Sequence, residues 1–253
     1  MIVKLREAVN HDFDSPEVVD IIQADVLIAN KLIRLGISPL YVPGDAIKNC
    51  QDVLGYLDLQ ATVNLLTCIN LKQLFVCHDR KLMGAMQNLW RRSLYVACLS
   101  FILAEDIPTI NSENALLAGF ISDIGLIPLF RFADQYPDEQ PERAQLELVI
   151  PFIRAPLGTL MLNSLGFEDD LISISHHSED WHYDSGEELN LIDIVILAKL
   201  HSYFGSQHAH HLPFIKTIPA YAKLENGKLT PDFSLNVLRH ANQRIKAAIA
   251  VLT

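Results

Sequence analysis

Apolar residues recur along most of this chain at intervals of three and four, and the two-residue alternation of a half-buried strand is nearly absent. Val18, Ile21, Ile22 and Val26 share one such face, continued by Ile28, Leu32 and Ile33. Ser15-Pro16-Glu17 opens that region with a capping hydroxyl and a proline at the first helical position. Gly36 closes it, and Ser38-Pro39 with Pro43-Gly44 reads as a turn-rich connection. The same periodicity predicts helices over Ala46–Leu54, Leu59–Leu74, Arg80–Ala104, Glu113–Phe132, Ala144–Ile153 and Leu157–Leu165. Further helices are predicted over Asp169–His177, Glu188–Phe204 and Pro231–Leu252, with start signals at Asn111-Ser112-Glu113 and Thr230-Pro231-Asp232. Asn226-Gly227 lies between charged residues and is read as a loop turn rather than a hairpin. The predicted class is all-α, a multi-helix bundle.

A chain of 253 residues, half of them apolar, builds its core without disulfide or metal staples. Mean hydropathy is +0.20. The apolar stretches Leu94–Leu103 and Leu191–Leu200 are shorter than the ~18 residues of a membrane helix, so no membrane role is expected. The opening Met1-Ile2-Val3-Lys4-Leu5-Arg6-Glu7 lacks the pattern of a secretion signal, and a cytoplasmic setting is expected. Twenty basic against thirty acidic residues give a net charge of −10, and no Lys/Arg run is present, so nucleic acid is not an expected partner. Cys50, Cys68, Cys77 and Cys98 form no C-x-x-C pair and read as reduced core thiols. No Gly/Ser or Pro linker divides residues 1–205, which are expected to form one domain with helical portions over 1–76 and 80–205. Residues 206–253 then supply a connection, Gln207–Gly227, and a final helix. That helix is expected to dock on the domain through Phe233, Val237, Ile245 and Ile249, homodimer formation through it being the alternative.

Five local patterns carry groups capable of chemistry: Leu89-Trp90-Arg91-Arg92-Ser93; Gly119-Phe120-Ile121-Ser122-Asp123-Ile124-Gly125; Arg154-Ala155-Pro156-Leu157-Gly158; His176-His177; and His208-Ala209-His210-His211. Each has a structural explanation when taken alone. A carboxylate in an apolar helix, as at Asp123, is usually paired with arginine, and histidines ending a helix interact with its dipole. The His208–His211 group has no neighbouring Asp or Glu and reads as loop composition.

Their order and spacing resemble the HDOD family, the HD-related output domain relatives of the HD and HD-GYP phosphohydrolases. Ile21-Ile22-Gln23-Ala24-Asp25 followed by Arg34-Leu35-Gly36-Ile37-Ser38 is similar to the family segment I-x-x-D-P…L-R-x-x-N-S, with Val26 in place of Pro and Ile37 in place of Asn. Ala46-Ile47 through Leu54-Gly55 is similar to A-I-x-x-L-G. Leu89-Trp90-Arg91-Arg92-Ser93 with Val96-Ala97 resembles L-W-x-H-S…V-A, and Ala118–Gly125 resembles A-G-L-L-H-D-I-G. Arg154–Gly158 resembles H-x-x-x-G, and His176-His177 the later H-H. The likeness runs in order from Met1 to about Gly205 and implies an HD-domain-like helical bundle.

An active site of the related phosphohydrolases needs imidazole and carboxylate lone pairs to hold divalent metal. The resemblance places Arg92, Ser122 and Arg154 at three expected histidines and Lys199 nearest an expected aspartate, leaving Asp123 with His176 or His177 as remaining ligands. It therefore implies a degenerate centre with no catalytic residue, no metal and no cofactor, and an Arg–Asp pair in the metal's place. The implied role is a bacterial signal-transduction output or adaptor module acting on protein partners. A nucleotide sensor is the alternative, with Arg92 and Arg154 gripping the phosphates of a ligand such as cyclic di-GMP, helped by His176, His177 and Trp181. A third reading, an active metal-dependent phosphohydrolase, would draw Asp123, His176, His177, Asp180 and His182 into one ligand set.

Overall fold

The computed structural model describes residues 20, 22, 24–41, 47–137, 143–203, 212–224 and 231–252, with 143–147 and 231–240 described by backbone alone. The predicted start at Ser15-Pro16, the His208–His211 group, Asn226-Gly227 and the side chains of Phe233 and Val237 lie outside what is described. Among the described residues there is no strand. The helices are α1 (Val26–Gly36), α2 (Cys50–Tyr56), α3 (Leu59–Leu71), α4 (Arg80–Ala104), α5 (Ser112–Ile121), α6 (Leu126–Gln135), α7 (Arg143–Ser164), α8 (Asp169–His177), α9 (Leu191–Tyr203), α10 (Pro219–Lys223) and α11 (Pro231–Leu252).

Side-chain caps set most of the starts. Asp25 accepts from Leu27 and Ile28 at α1, Asp58 from Ala61 at α3, and Asp79 from Lys81 and Leu82 at α4. The second predicted helix begins later than read, at Cys50. There Asn49 and Asp52 form a reciprocal capping box, a start signal the apolar pattern from Ala46 obscured. Asn190 likewise moves the start of α9 to Leu191. Its side chain accepts from Ile192 and Asp193, while Asp193 accepts from Asn190 N–H.

Three central helices are buried all round. Every residue from Ala61 to Leu71, Ala115 to Ile121 and Ile192 to Leu200 is buried. Two polar groups inside α3 bond to their own helix, Thr67 Oγ1 to Val63 O and Asn70 Nδ2 to Leu66 O, both at 2.8 Å, and Asn64 Nδ2 donates to Asn114 Oδ1 at 2.7 Å. The most extensive packing is α4 on α5, which also meets α3 and α9. A glycine makes this approach feasible: a Cβ on Gly119 would stand 2.8 Å from the Val96 carbonyl and 2.9 Å from Ala97 Cα. The far end of the chain closes on the same core. Ala241, Ile245, Ala248 and Leu252 of α11 are buried, and α11 lies against α4 and α1. Arg244 grips Glu105 at 2.6 and 2.7 Å and also donates to the carbonyls of Pro39 and Leu40.

Three predicted spans differ in their breaks. Glu113–Phe132 is not one helix: α5 and α6 are separated by a turn at residues 122–125. Ile124 N–H reaches back to Ile121 O, Leu126 to Asp123 O and Ile127 to Ile124 O, a run of three-residue closures that tightens the chain. Conversely, Ala144–Ile153 and Leu157–Leu165 are one helix, α7, running through Pro151 and Pro156. Both prolines are exposed, so the gap each leaves in the helix's hydrogen bonds is on the water side, where the loss is cheap. By length and composition, residues 112–135 also pass as membrane-spanning, at a mean hydropathy of 1.6 that the short-run reading overlooked. They are core instead, 78% buried in their most apolar window.

Candidate functional site: a carboxylate surrounded by cations

The turn between α5 and α6 places Asp123 inside the bundle, 1% exposed. The turn is held from both sides. Ser122 Oγ donates to Gly119 O at 2.9 Å, and Ser122 O accepts from Ser178 Oγ at 3.2 Å. Gly125 lies flat on α7, where a Cβ would stand 2.0 Å from the Arg154 carbonyl. Only glycine permits that approach, and it fixes Arg154 beside Asp123.

Three cations converge on the carboxylate. Lys199 Nζ of α9 donates to Asp123 Oδ1 at 2.7 Å, Arg154 Nη1 of α7 stands 3.2 Å from the same oxygen, and Arg92 Nη2 of α4 faces Oδ2 at 2.9 Å. Lys199 is wholly buried and Arg154 nearly so, at 0% and 6% side-chain exposure, while Arg92 keeps 27%. A second carboxylate, Glu179 just after α8, meets Lys199 at 2.8 Å and Arg154 at 3.3 Å. Tyr203 donates its hydroxyl to Glu179 at 2.6 Å and places its ring under the Arg92 guanidinium at 5.3 Å. Ser178 Oγ accepts from Arg154 at 3.1 Å and from Lys199 at 3.3 Å. Three cationic groups against two carboxylates leave one net positive charge.

Titration follows from this packing. Burial alone would raise the Asp123 carboxyl, but Arg92, then Lys199 and Arg154, hold it well below the usual carboxylate range. Glu179 is likewise held low, burial being outweighed chiefly by Lys199. Burial, then the Arg154 charge, draws Lys199 below the ordinary lysine value, while Asp123 and Glu179 act in the other direction. Burial raises the Tyr203 hydroxyl strongly, which keeps it a donor.

Of the positions singled out in the sequence, Arg92, Ser122, Asp123 and Arg154 meet here, and Lys199 joins them as the closest contact. His176 and His177 do not touch Asp123. His176 is exposed and paired with Thr159 Oγ1 at 2.6 Å, and His177 is stacked on Tyr183 at 4.0 Å. Burial, then its neighbour His176, lowers the His177 pKa. Glu179, Ser178 and Tyr203 were missed. Glu179 lies two positions beyond the histidine pair, and Tyr203 sits one helical turn after Lys199 on the same face.

The donor set does not fit a divalent metal. An ion needs lone pairs from its neighbours, but ammonium and guanidinium groups are donors only. The room beside Asp123 Oδ1 is taken by Lys199 Nζ at hydrogen-bond distance. Among the described residues no group of three or more His, Cys, Asp or Glu converges as metal ligands.

An all-α bundle carrying a buried aspartate at the turn between two core helices is of the HD-domain-like class. Within it, the chain belongs to the HDOD domain family, whose model matches residues 1–179. The match ends at Glu179, so Lys199 and Tyr203 come from the segment beyond it. A Shewanella amazonensis SB2B protein whose name proposes a metal-dependent phosphohydrolase superposes with a TM-score of 0.79. It is 18% identical over 98% of this chain and 90% of its own. An HDOD domain protein with unknown function from Geobacter sulfurreducens gives 0.67 at 18% identity, covering 99% of this chain and 90% of that one. A Marinobacter aquaeolei VT8 protein whose name proposes signal transduction gives 0.58 at 15% identity, covering 100% of this chain and 58% of that one. At these identities the likeness establishes the fold, not the activity. No curated protein matches the sequence.

Proposed function

We propose that this chain is a non-catalytic output or adaptor module of bacterial signalling, working through protein contacts on a helical scaffold whose metal position is filled from within. The carrying observation is the Lys199 ammonium, wholly buried and 2.7 Å from Asp123 Oδ1. Metal-assisted hydrolysis requires a Lewis acid and an activated water at that carboxylate. An ammonium polarises an oxygen only weakly and binds no hydroxide. Arg92 and Arg154 on the same carboxylate add repulsion toward any entering cation. The name of the Marinobacter protein and the family membership agree with a signalling role. Elemental analysis of the purified protein, with phosphodiester hydrolysis assayed in added Mn²⁺, tests the reading. No stoichiometric Mn, Fe or Zn and no turnover are expected; a stoichiometric metal, or hydrolysis lost in Asp123→Ala, overturns it.

One observation favours a second reading, a nucleotide sensor for a ligand such as cyclic di-GMP. The cluster has a surplus positive charge, and its most accessible cation is the half-buried Arg92, whose Nε has no hydrogen-bond partner among the described residues. Of the two arginines, Arg92 has the accessible surface, whereas Arg154 is engaged with Asp123, Glu179 and Ser178. A melting-temperature shift with the nucleotide that Arg92→Ala abolishes would support this reading over the first.

A further inference from the structure

Thirteen large apolar side chains are exposed among the described residues, and six of them lie on two neighbouring helices or at their ends: Phe132 on α6, Tyr136 just after it, and Leu148, Val149, Phe152 and Leu160 on α7. Gly125, just before α6, sits against α7 at residues 154–158, and only seven residues join Gln135 to Arg143, too few to run back along a parallel α7, so α6 and α7 run antiparallel. Phe132 and Tyr136 therefore lie toward the end of α7 that carries Leu148 and Phe152. The two rings are already packed together, with centroids 4.8 Å apart. Along α7, Leu148, Phe152, Pro156 and Leu160 follow at steps of four, one continuous ridge of about 18 Å. Leu148 is 73% exposed, Phe152 79% and Leu160 68%.

We infer that this α6–α7 face is the interface between two copies of the chain. At 42–79% exposure the six side chains present several hundred Å² of mostly apolar surface, the size at which a patch on a monomer marks an interaction site, against the ~800 Å² per partner of a standard interface. Charge selects the occupant further. From Leu148 to Ser164 the only charged residue is Arg154, which is buried on the opposite side. A chain of net charge −10 thus keeps the ridge free of the acidic groups that would repel a second copy. Among the described side chains of α6 and α7 the exposed cation is Arg131, beside Phe132, far from the Lys/Arg-rich polar face by which a helix holds an anionic membrane. A row of side chains at steps of four is self-complementary, since two such rows interlock across a two-fold axis. The face is separate from α11, whose Ala241, Ile245, Ala248 and Leu252 are buried in its own bundle. The inference does not depend on whether the charged cluster is catalytic.

Sedimentation of the full chain across a micromolar concentration series tests it. The weight-average mass is expected to rise from 28.4 kDa toward twice that value. Phe152→Glu, which places a charge on an exposed position, is expected to weaken association by more than about tenfold while leaving the circular dichroism spectrum intact, and the urea midpoint unchanged at concentrations where both proteins are monomeric. Leu27→Glu, comparably exposed at 73% on α1, serves as the control and is expected to leave association unchanged. A chain that stays at 28.4 kDa throughout, a folded Phe152→Glu that associates like the parent, or a Leu27→Glu that dissociates equally would each overturn the inference.

Discussion

Substituting Asp123 by Asn is the sharpest probe of the charged cluster. The change is nearly isosteric, so packing is kept while one buried negative charge is removed. Arg92, Arg154 and Lys199 then face Glu179 alone, and the net charge rises from one positive to two. The carboxylate lost is 1% exposed and in contact with three cations at 2.7 to 3.2 Å. Breaking a buried pair by removing one partner costs about 3–5 kcal/mol, a large part of a total stability of roughly 5–15 kcal/mol. At about 2–4 °C per kcal/mol for a chain of this size, the melting temperature is expected to fall by roughly 6–20 °C. Lys199→Met supplies the other arm of a double-mutant cycle. In the double variant Arg92 and Arg154 face Glu179, which restores one net positive charge, and the thioether fills the space of the lysine stem. The double variant is expected to lose less than the sum of the singles, with a coupling energy of about 2 kcal/mol or more by urea denaturation. If Asp123→Asn costs under about 1 kcal/mol, or the two costs add within about 0.5 kcal/mol, the cluster is not the electrostatic unit described.

Two further expectations follow. Asp123 and Glu179 are held below their ordinary values in the folded state, so their contribution is complete above the unfolded pKa near ~4 and is lost as pH falls through the folded values. The urea midpoint of the parent should therefore drop between about pH 5 and pH 3, and drop less in Asp123→Asn, where one of these carboxylates is gone; parallel curves would contradict this. Gly125→Ala should cost more than about 4 kcal/mol, because its Cβ would stand 2.0 Å from the Arg154 carbonyl, whereas Gly84→Ala in α4, with nothing within 4 Å, should gain about 0.5–1 kcal/mol in thermal melts.

The helices were legible because burying an apolar stripe imposes its period on the sequence, and the cap at Asn111 marked one start. The turn at residues 122–125 was not. Its residues Ser122, Asp123, Ile124 and Gly125 include no proline, and the apolar pattern continues across it. The force that breaks the helix is a tertiary one, the contact of Gly125 with α7. Pro156 of α7 misled in the opposite direction, since the cost of a proline depends on which side of the helix faces water. For the site, Arg92, Asp123 and Arg154 could be named from motif order. Glu179 and Tyr203 escaped because their roles depend on where Lys199 and Arg92 reach in space. His176 and His177 were drawn in by spacing, yet their rings are occupied with Thr159 and Tyr183.

Lys199 differs from a bound ion in one further respect. A dissociable cation stabilises a fold by mass action, in proportion to the logarithm of its free concentration, and a chelator can remove it. A cation carried on the chain is present in equal number with its carboxylate at every dilution. The neutralisation of Asp123 by Lys199 is therefore indifferent to metal supply, and what holds α5, α7 and α9 together at this point is renewed with each copy of the protein synthesised.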